Sequence, residues 1–208
     1  MAGSMSLADL VADLKASLND AAEVFVAAND GDFSRHLDLA ALDFARVRPR
    51  TLVGELLLVA DQADYAAPAD FHGFKCHLWG EKGRGVKPWE KAWPGQLPRV
   101  YAGEIGGALK LYLDPAPTAH QIALLGTGFK YFYFARHAIA ADAADTTIRE
   151  GDRGLLILRA QAEAMKELAA RNVGKPVSMR DGITHGPRNG TPAALYQGLM
   201  ELFERAAA

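Results

Sequence analysis

The spacing of apolar residues changes from a helical to an extended period at Thr51, and it returns to a helical period after Ile148. A helix buries positions three and four residues apart, whereas a half-buried strand buries every second position. This pattern predicts an α+β fold, in which residues 6–48 and 150–172 form a small helical bundle. An antiparallel β domain, residues 51–139, is inserted between them. The 208 residues, half of them hydrophobic, are enough to bury a core.

The N-terminal part of the bundle is predicted to be a helical hairpin. Apolar residues recur at helical spacing over residues 7–25, Ser6 is placed to cap this helix, and the sequence ANDG is predicted to end it. A second helix is expected from about Asp32. It must end before Pro49, because proline disfavours a helical conformation in the residue that precedes it.

The inserted region is predicted to contain five to seven short antiparallel strands, because its connections are too short for parallel crossovers. The sequence TLVGELLLVA indicates a strand, and RVYAGEI and ALKLYLDP indicate a hairpin joined by Gly106 and Gly107. QIALLG is predicted to resume the strand after Pro117. The aromatic run FKYFYFARHAI is predicted to lie between two packed layers rather than to stack on bases.

One further strand, FKCHLWG, alternates strictly. Its alternation predicts one face made of Phe74, Cys76 and Leu78, and an opposite face made of Lys75, His77 and Trp79. The thiol of Cys76 is therefore expected to pack in the core.

The C-terminal region, residues 173–208, is predicted to be an extended arm that ends in a short helix. Thr191 is placed to cap this helix and Pro192 to occupy its first position. An apolar face follows on this helix, made of Leu195, Tyr196, Leu199, Leu202 and Phe203. The sequence leaves open whether this face binds another chain or folds back onto its own bundle.

The sequence predicts no catalytic, metal or cofactor site. Six histidines show no HExxH pattern, and the odd spacing of His72 and His77 puts them on opposite faces of a strand. The glycine run GEKGRGVK matches no phosphate-binding loop, and no serine stands in a GxSxG motif. No segment is apolar enough to predict a membrane span or an export signal. A formal net charge of -2 does not favour a nucleic-acid binder.

Two groups of residues are candidates for partner contacts. Arg46, Arg48 and Arg50 lie at a junction between helix and strand, where they could meet DNA or an acidic partner, or could be solvated at a helix end. Trp89 and Trp93 lie in a polar loop over residues 80–98, which is expected to be exposed and available to a partner or tail.

The order of elements resembles the head-to-tail adaptor, or connector, proteins of tailed bacteriophages. The resemblance extends over residues 7–172 and includes a helical hairpin ending in RVRPRTLVGELLLV, the phrase ADYAAPADFHGFKCHLWG and the strand LKLYLDPAP. It continues with an aromatic strand and the sequence TTIREGDRGLLILRAQAEAMKELAARN.

The resemblance implies a structural virion protein of the neck, assembled in the cytoplasm of the bacterial host. Such a protein is not an enzyme, and its copies form a ring, usually dodecameric, between the portal protein and the tail. The ring extends the DNA channel without specific DNA binding. The resemblance also implies that a C-terminal segment reaches the portal, here through the face from Leu195 to Phe203.

Two alternatives stay open from the sequence. The β domain and the tryptophan loop could form a ligand-binding module or a small hydrolase, although no paired acids or activated nucleophile support turnover. The chain could instead be another head or tail completion protein of the neck, because partner surfaces decide the layer.

Overall fold

The computed structural model describes residues 4–81, 85–172 and 191–207. Within them the helices are α1 (Leu7–Leu18), α2 (Gly31–Val47), α3 (Ala119–Leu125), α4 (Arg153–Arg171) and α5 (Pro192–Ala207). The strands are β1 (Arg50–Leu57), β2 (Asp64–Ala66), β3 (Phe71–His77), β4 (Arg99–Ile105), β5 (Ala108–Asp114) and β6 (Gly128–Ala135). The predicted α+β class is confirmed.

The described chain divides into two compact units. The bundle unit combines the described parts of Met1–Arg48 and His137–Ala208, and the β unit is Pro49–Arg136. That each unit folds as an independent domain stays a prediction. The predicted arm over residues 173–190 lies outside the described residues.

The bundle unit is built from α1, α2, α4 and α5. The predicted cap of α1 is present, because the Ser6 hydroxyl accepts a hydrogen bond from the Asp9 N–H. Helix α2 buries one apolar face, which contains Phe33, Leu37, Ala40, Ala41 and Phe44. One core joins the helices, and its fully buried members include Leu10, Leu14, Leu37, Phe44, Leu156 and Phe203.

The first helix is shorter than predicted. It ends at Leu18, because Asn19 takes a positive φ of 49° that an α-helix does not allow, and the chain continues as a 3₁₀-helix over Asn19–Val24. Phe25 nevertheless reaches the core. A helical spacing of apolar residues therefore extended beyond the helix itself.

The β unit consists of two three-stranded antiparallel sheets. Sheet A has the order β1-β6-β3 and sheet B the order β2-β5-β4. One hydrophobic cluster contains residues of both sheets, among them Leu111, Leu113, Phe129 and Tyr131. Burial raises the pKa of the Tyr131 hydroxyl to about 12. The aromatic run FKYFYFARHAI is predicted to lie between two packed layers; Phe129, Tyr131 and Tyr133 are buried in this core, whereas Phe132 and Phe134 on the other face are only partly buried.

The predicted hairpin between β4 and β5 is present, and both Gly106 and Gly107 take positive φ in its turn. The prediction of a strand at QIALLG is wrong, because these residues form α3. Thr118 and Gln121 make a reciprocal capping box: the Thr118 hydroxyl accepts from the Gln121 N–H, and the Gln121 side chain accepts from the Thr118 N–H.

The two predicted faces of β3 are also wrong. Register shifts between Phe71 and Gly73 and between Phe74 and Cys76 interrupt its pairing with β6. Cys76 is therefore exposed rather than packed in the core. Trp79, just after the strand, is buried and donates its indole N–H to the Gly126 carbonyl over 3.0 Å.

Candidate partner-binding surfaces

Helix α5 packs against α4 in the bundle unit. Phe203 is fully buried, and the guanidinium of Arg159 lies 6.0 Å from the centre of its ring. Tyr196 and Leu199 are partly buried against the same core. The sequence leaves open whether this helix binds another chain or folds back onto its own bundle. In the structure it folds back onto its own bundle.

The five apolar residues of the C-terminal helix therefore do not form one exposed face. Leu195 and Leu202 stay exposed, at 44% and 52% of their surface, whereas Phe203 belongs to the core of its own chain. A partner could reach the two leucines without disturbing the bundle. A role of this helix in portal binding stays a prediction.

The arginines at the end of α2 hold α5 in place. Arg46 donates to Glu204 over 2.6 Å and to Asp43 over 2.9 Å, and these two hydrogen bonds raise the pKa of Arg46. Arg48 donates to the Ala206 carbonyl. The sequence analysis considers DNA, an acidic partner or a solvated helix end for these arginines, and not α5, because Glu204 lies 158 positions from Arg46 in the chain.

Arg50 lies in the β unit and is 3.9 Å from Asp70. That Arg46, Arg48 and Arg50 act together as a basic patch stays a prediction. Their orientation towards DNA or a partner stays a prediction.

A buried ionic cluster lies beneath α5. Arg159 donates to Asp43 over 2.7 Å and to Glu163 over 2.6 Å. Partial burial favours the protonated form of Asp43, but hydrogen bonds from Arg46 and Arg159 outweigh it and lower the pKa of this carboxyl. The cluster connects α2 to α4 and fixes the guanidinium that contacts Phe203.

A second ionic cluster joins the opposite part of α2 to α4. His36, which is almost fully buried, has its Nε2 atom 2.8 Å from Glu167, and Arg35 donates to the same carboxylate over 2.6 Å. Arg171 also donates to Glu167. Burial favours protonation of Glu167, but these hydrogen bonds outweigh it and lower its pKa to about 2.

Two consecutive turns lie in the described part of the tryptophan loop, which is the loop that carries Trp89 and Trp93. The Glu90 N–H donates to the Lys87 carbonyl, and the Trp93 N–H donates to the Glu90 carbonyl, both over 3.0 Å. Trp89 lies in the first turn and is 81% exposed, whereas Trp93 is 39% exposed. The prediction of an exposed loop agrees with both values.

Helix α3 anchors the end of this loop. Gln121, a buried residue of α3, donates from its amide to the Gln96 carbonyl over 2.8 Å. His120 Nε2 lies 3.3 Å from the Trp93 carbonyl oxygen. The capping box that defines α3 thus also supports the loop, a link that no local pattern in the sequence indicates.

A surface groove in the β unit lies beside the base of the loop. Leu78, Trp79, Leu124 and Leu125 line it, and the charged residues at its rim are Glu81 and Lys130. Trp89 and Trp93 are not among the residues that line this groove.

The described residues contain no group of three or more His, Cys, Asp or Glu side chains arranged to hold a metal ion. Among the helices of the same residues, none has the length and apolar character needed to cross a membrane.

The exposed apolar residues of the described chain include Leu195 and Leu202 of the bundle unit and Trp89 of the β unit. The model of the SU10 adaptor protein family matches residues 5–174, and the chain belongs to this family. The resemblance to phage head-to-tail adaptors is confirmed, and the chain is a phage structural adaptor protein. No curated protein sequence matches the chain. The family match ends before α5.

Proposed function

We propose that this adaptor forms a ring in the neck of the virion, between the portal protein and the tail. Family membership over residues 5–174 is the observation that supports this role most directly. The ring extends the DNA channel, and the side of the ring that faces away from the portal offers a docking surface for the tail. The small net charge of -2 suits a channel through which DNA slides without being held.

The same proposal makes the protein a structural component rather than an enzyme. In the described residues Glu167 and Arg46 have strongly shifted pKa values and are ion-paired between helices, whereas burial in the aromatic core raises the pKa of Tyr131. Structural ion pairs perturb pKa values as active sites do, so these shifts need no reaction to explain them. The ring is homo-oligomeric and is assembled in the host cytoplasm.

Helix α5 is the proposed contact to the portal. It lies outside the family match, and its exposed Leu195 and Leu202 are available while Phe203 secures the helix to the bundle. Because Phe203 is a core residue, removing α5 would damage the bundle as well as any binding surface. A test must therefore change the two exposed leucines and leave Phe203 in place.

The experiment is an affinity purification of N-terminally tagged protein from phage-producing cells, with mass spectrometry of the proteins that co-purify. The intact chain should recover a portal or tail protein in stoichiometric amount. The double variant Leu195→Asp/Leu202→Asp should lose the portal protein. Leu42→Asp is the matched control, because Leu42 is an equally exposed leucine on α2.

Recovery of no virion protein by the intact chain would overturn the proposed function. Normal recovery of the portal by the double variant would instead overturn only the assignment of α5. Circular dichroism of each variant is the folding control. A helical signal equal to that of the unchanged chain means that a loss of binding is not caused by unfolding of the bundle.

A further inference from the structure

Helix α5 carries more apolar surface than its own bundle covers. Successive residues of an α-helix are about 100° apart, so its large apolar side chains occupy an arc of roughly 160°. An apolar stripe of about 100° is enough to face a core. The members of the arc are Leu195, Tyr196, Leu199, Met200, Leu202 and Phe203. The helix therefore has apolar side chains to spare on one flank.

Two different faces for packing lie within this arc. The face that lies against the core has members four and three residues apart: Tyr196, Met200 and Phe203. A second face repeats the same spacings with leucines only: Leu195, Leu199 and Leu202. Each spacing is one that lets a helix pack on a core. A rotation of α5 about its own axis by about 100° would exchange one face for the other.

The ion pair of Glu204 distinguishes these two rotations. The Glu204 carboxylate accepts a hydrogen bond from Arg46 of α2 over 2.6 Å. Glu204 directly follows Phe203, so it lies about 100° around the helix from the buried ring. Turning the leucine face inward would carry Glu204 outward, away from α2. Only the rotation that buries Phe203 therefore keeps this ion pair.

Helix α2 holds Arg46 ready for this contact. The Arg46 Nε atom donates to Asp43 over 2.9 Å, and Asp43 also accepts from buried Arg159 over 2.7 Å. Because the guanidinium is planar with donors in fixed directions, the group that binds Glu204 has a defined orientation. The side chains of Arg46 and Glu204 are both about half exposed, so their ion pair contributes little to stability. Its effect lies in the choice between two similar arrangements.

The rotation of α5 decides which leucines the bundle presents. Leu195 and Leu202 are seven residues apart, so they lie on one side of the helix, and both are exposed. We propose that Glu204 is a positioning residue: its ion pair with Arg46 selects the rotation of α5 that keeps these two leucines outside the core. This inference rests on the proposed function for what the leucines bind, and it adds the contact that presents them.

The first test measures the rotation in the purified full chain, without the portal. The chain carries Cys76→Ser, which removes its sole cysteine, and then one new cysteine. Met200→Cys lies in the face that packs on the core, and it turns outward when the leucine face turns inward. Leu199→Cys is partly buried now and belongs to the leucine face, so it stays against the core in both rotations. The measured quantity is the rate at which each thiol reacts with a maleimide.

Glu204→Gln should raise the reaction rate of Met200→Cys about two- to fivefold, the range for one half-exposed ion pair. It should leave the rate of Leu199→Cys unchanged. Glu201→Gln is the matched control and should change neither rate, because Glu201 is an exposed partner of Arg205 on the same helix. No response of Met200→Cys to Glu204→Gln, or an equal response to Glu201→Gln, would overturn the proposal. An equal rise at both cysteines would also overturn it, because α5 would then be leaving the bundle rather than turning.

The second test measures the consequence for the portal, with the tagged full chain in phage-producing cells. Glu204→Arg places a like charge beside Arg46. It should reduce the portal protein recovered at least about threefold, since binding falls with the fraction of chains in the competent rotation. Glu201→Arg is the control and should recover as much portal protein as the unchanged chain. Normal recovery by Glu204→Arg, with a helical circular dichroism signal equal to that of the control, would overturn the positioning role.

The two tests can fail separately. If the unchanged chain recovers no virion protein while the thiol rates respond as expected, the proposed function is overturned and the selection of the rotation stands. If the portal protein is recovered but the thiol rates do not respond to Glu204→Gln, the positioning role is overturned and the proposed function stands.

Discussion

The bundle unit and the β unit hold their elements together by different means. Helices α2, α4 and α5 share a mainly aliphatic core, and two clusters of buried or half-buried ion pairs cross between them. The β unit instead packs tilted aromatic rings against one another, with Phe129, Tyr131 and Tyr133 in a continuous row along β6. Ion pairs fix the partner and orientation of each helix, whereas the aromatic core depends on close fit.

The difference makes the two units separately measurable. All three tryptophans, Trp79, Trp89 and Trp93, lie in the β unit, and most helical residues lie in the bundle unit. Tryptophan fluorescence therefore follows the β unit, and circular dichroism at helical wavelengths follows the bundle. Each substitution below should change one signal and leave the other.

The largest effect is expected from Phe203→Ala. The substitution leaves a cavity between α5 and α4, and should lower the free energy of unfolding of the bundle by about 3–5 kcal/mol. Denaturant unfolding followed by circular dichroism measures it. Leu202→Ala, one residue earlier and half exposed, should change it by less than about 0.5 kcal/mol. Equal effects of the two substitutions would mean that α5 does not dock as described.

The next effect is expected in the β unit, from Gly54→Ala. A Cβ atom at this position would lie 2.3 Å from the Tyr131 ring, so the aromatic core must shift. We expect a loss of about 1–3 kcal/mol in unfolding followed by tryptophan fluorescence. Gly103→Ala on β4 is the control, because its Cβ would meet no atom within 4 Å. Tolerance of both alanines would contradict the close fit of this core.

A smaller effect, dependent on pH, is expected from Glu167→Gln. The folded pKa of Glu167, about 2, lies below the ordinary 4.5, so its stabilising effect is present above pH 4.5 and is lost as the pH falls towards 2. At pH 7 the variant should lose about 1–2 kcal/mol of bundle stability, since hydrogen bonds to a charged group are removed. The difference from the unchanged chain should shrink between pH 4.5 and 2. Glu201→Gln, an exposed partner of Arg205, should show no such dependence.

The smallest effect on stability is expected from Trp89→Ala. Because Trp89 is exposed, the free energy of unfolding of either unit should change by less than about 0.5 kcal/mol. Thermal unfolding followed by both signals measures it. A marked loss of stability would show that Trp89 packs within its own chain.

The sequence by itself determined the four helices of the bundle unit, apart from the end of α1, and most strands of this protein. Local patterns sufficed for α2 and α5 and for the β4–β5 hairpin, because helix caps, proline positions and glycine turns act within a few residues. The same order of elements determined the adaptor family. The signal for α3 was also present, since Thr118 and Gln121 have the spacing of a capping box, but the apolar run between two strands resembled a third strand.

Only the tertiary structure decided which surfaces are free. Phe203 and Leu202 are neighbours on one apolar helix, yet one is buried and the other exposed, because Arg159 and the core of α4 meet only one side of α5. Arg46 looked like a free basic residue until Glu204 came within 2.6 Å. The groove beside β3 depends equally on residues about fifty positions apart. Burial and ion pairing of this kind arise from contacts distant in the chain, which local periodicity does not encode.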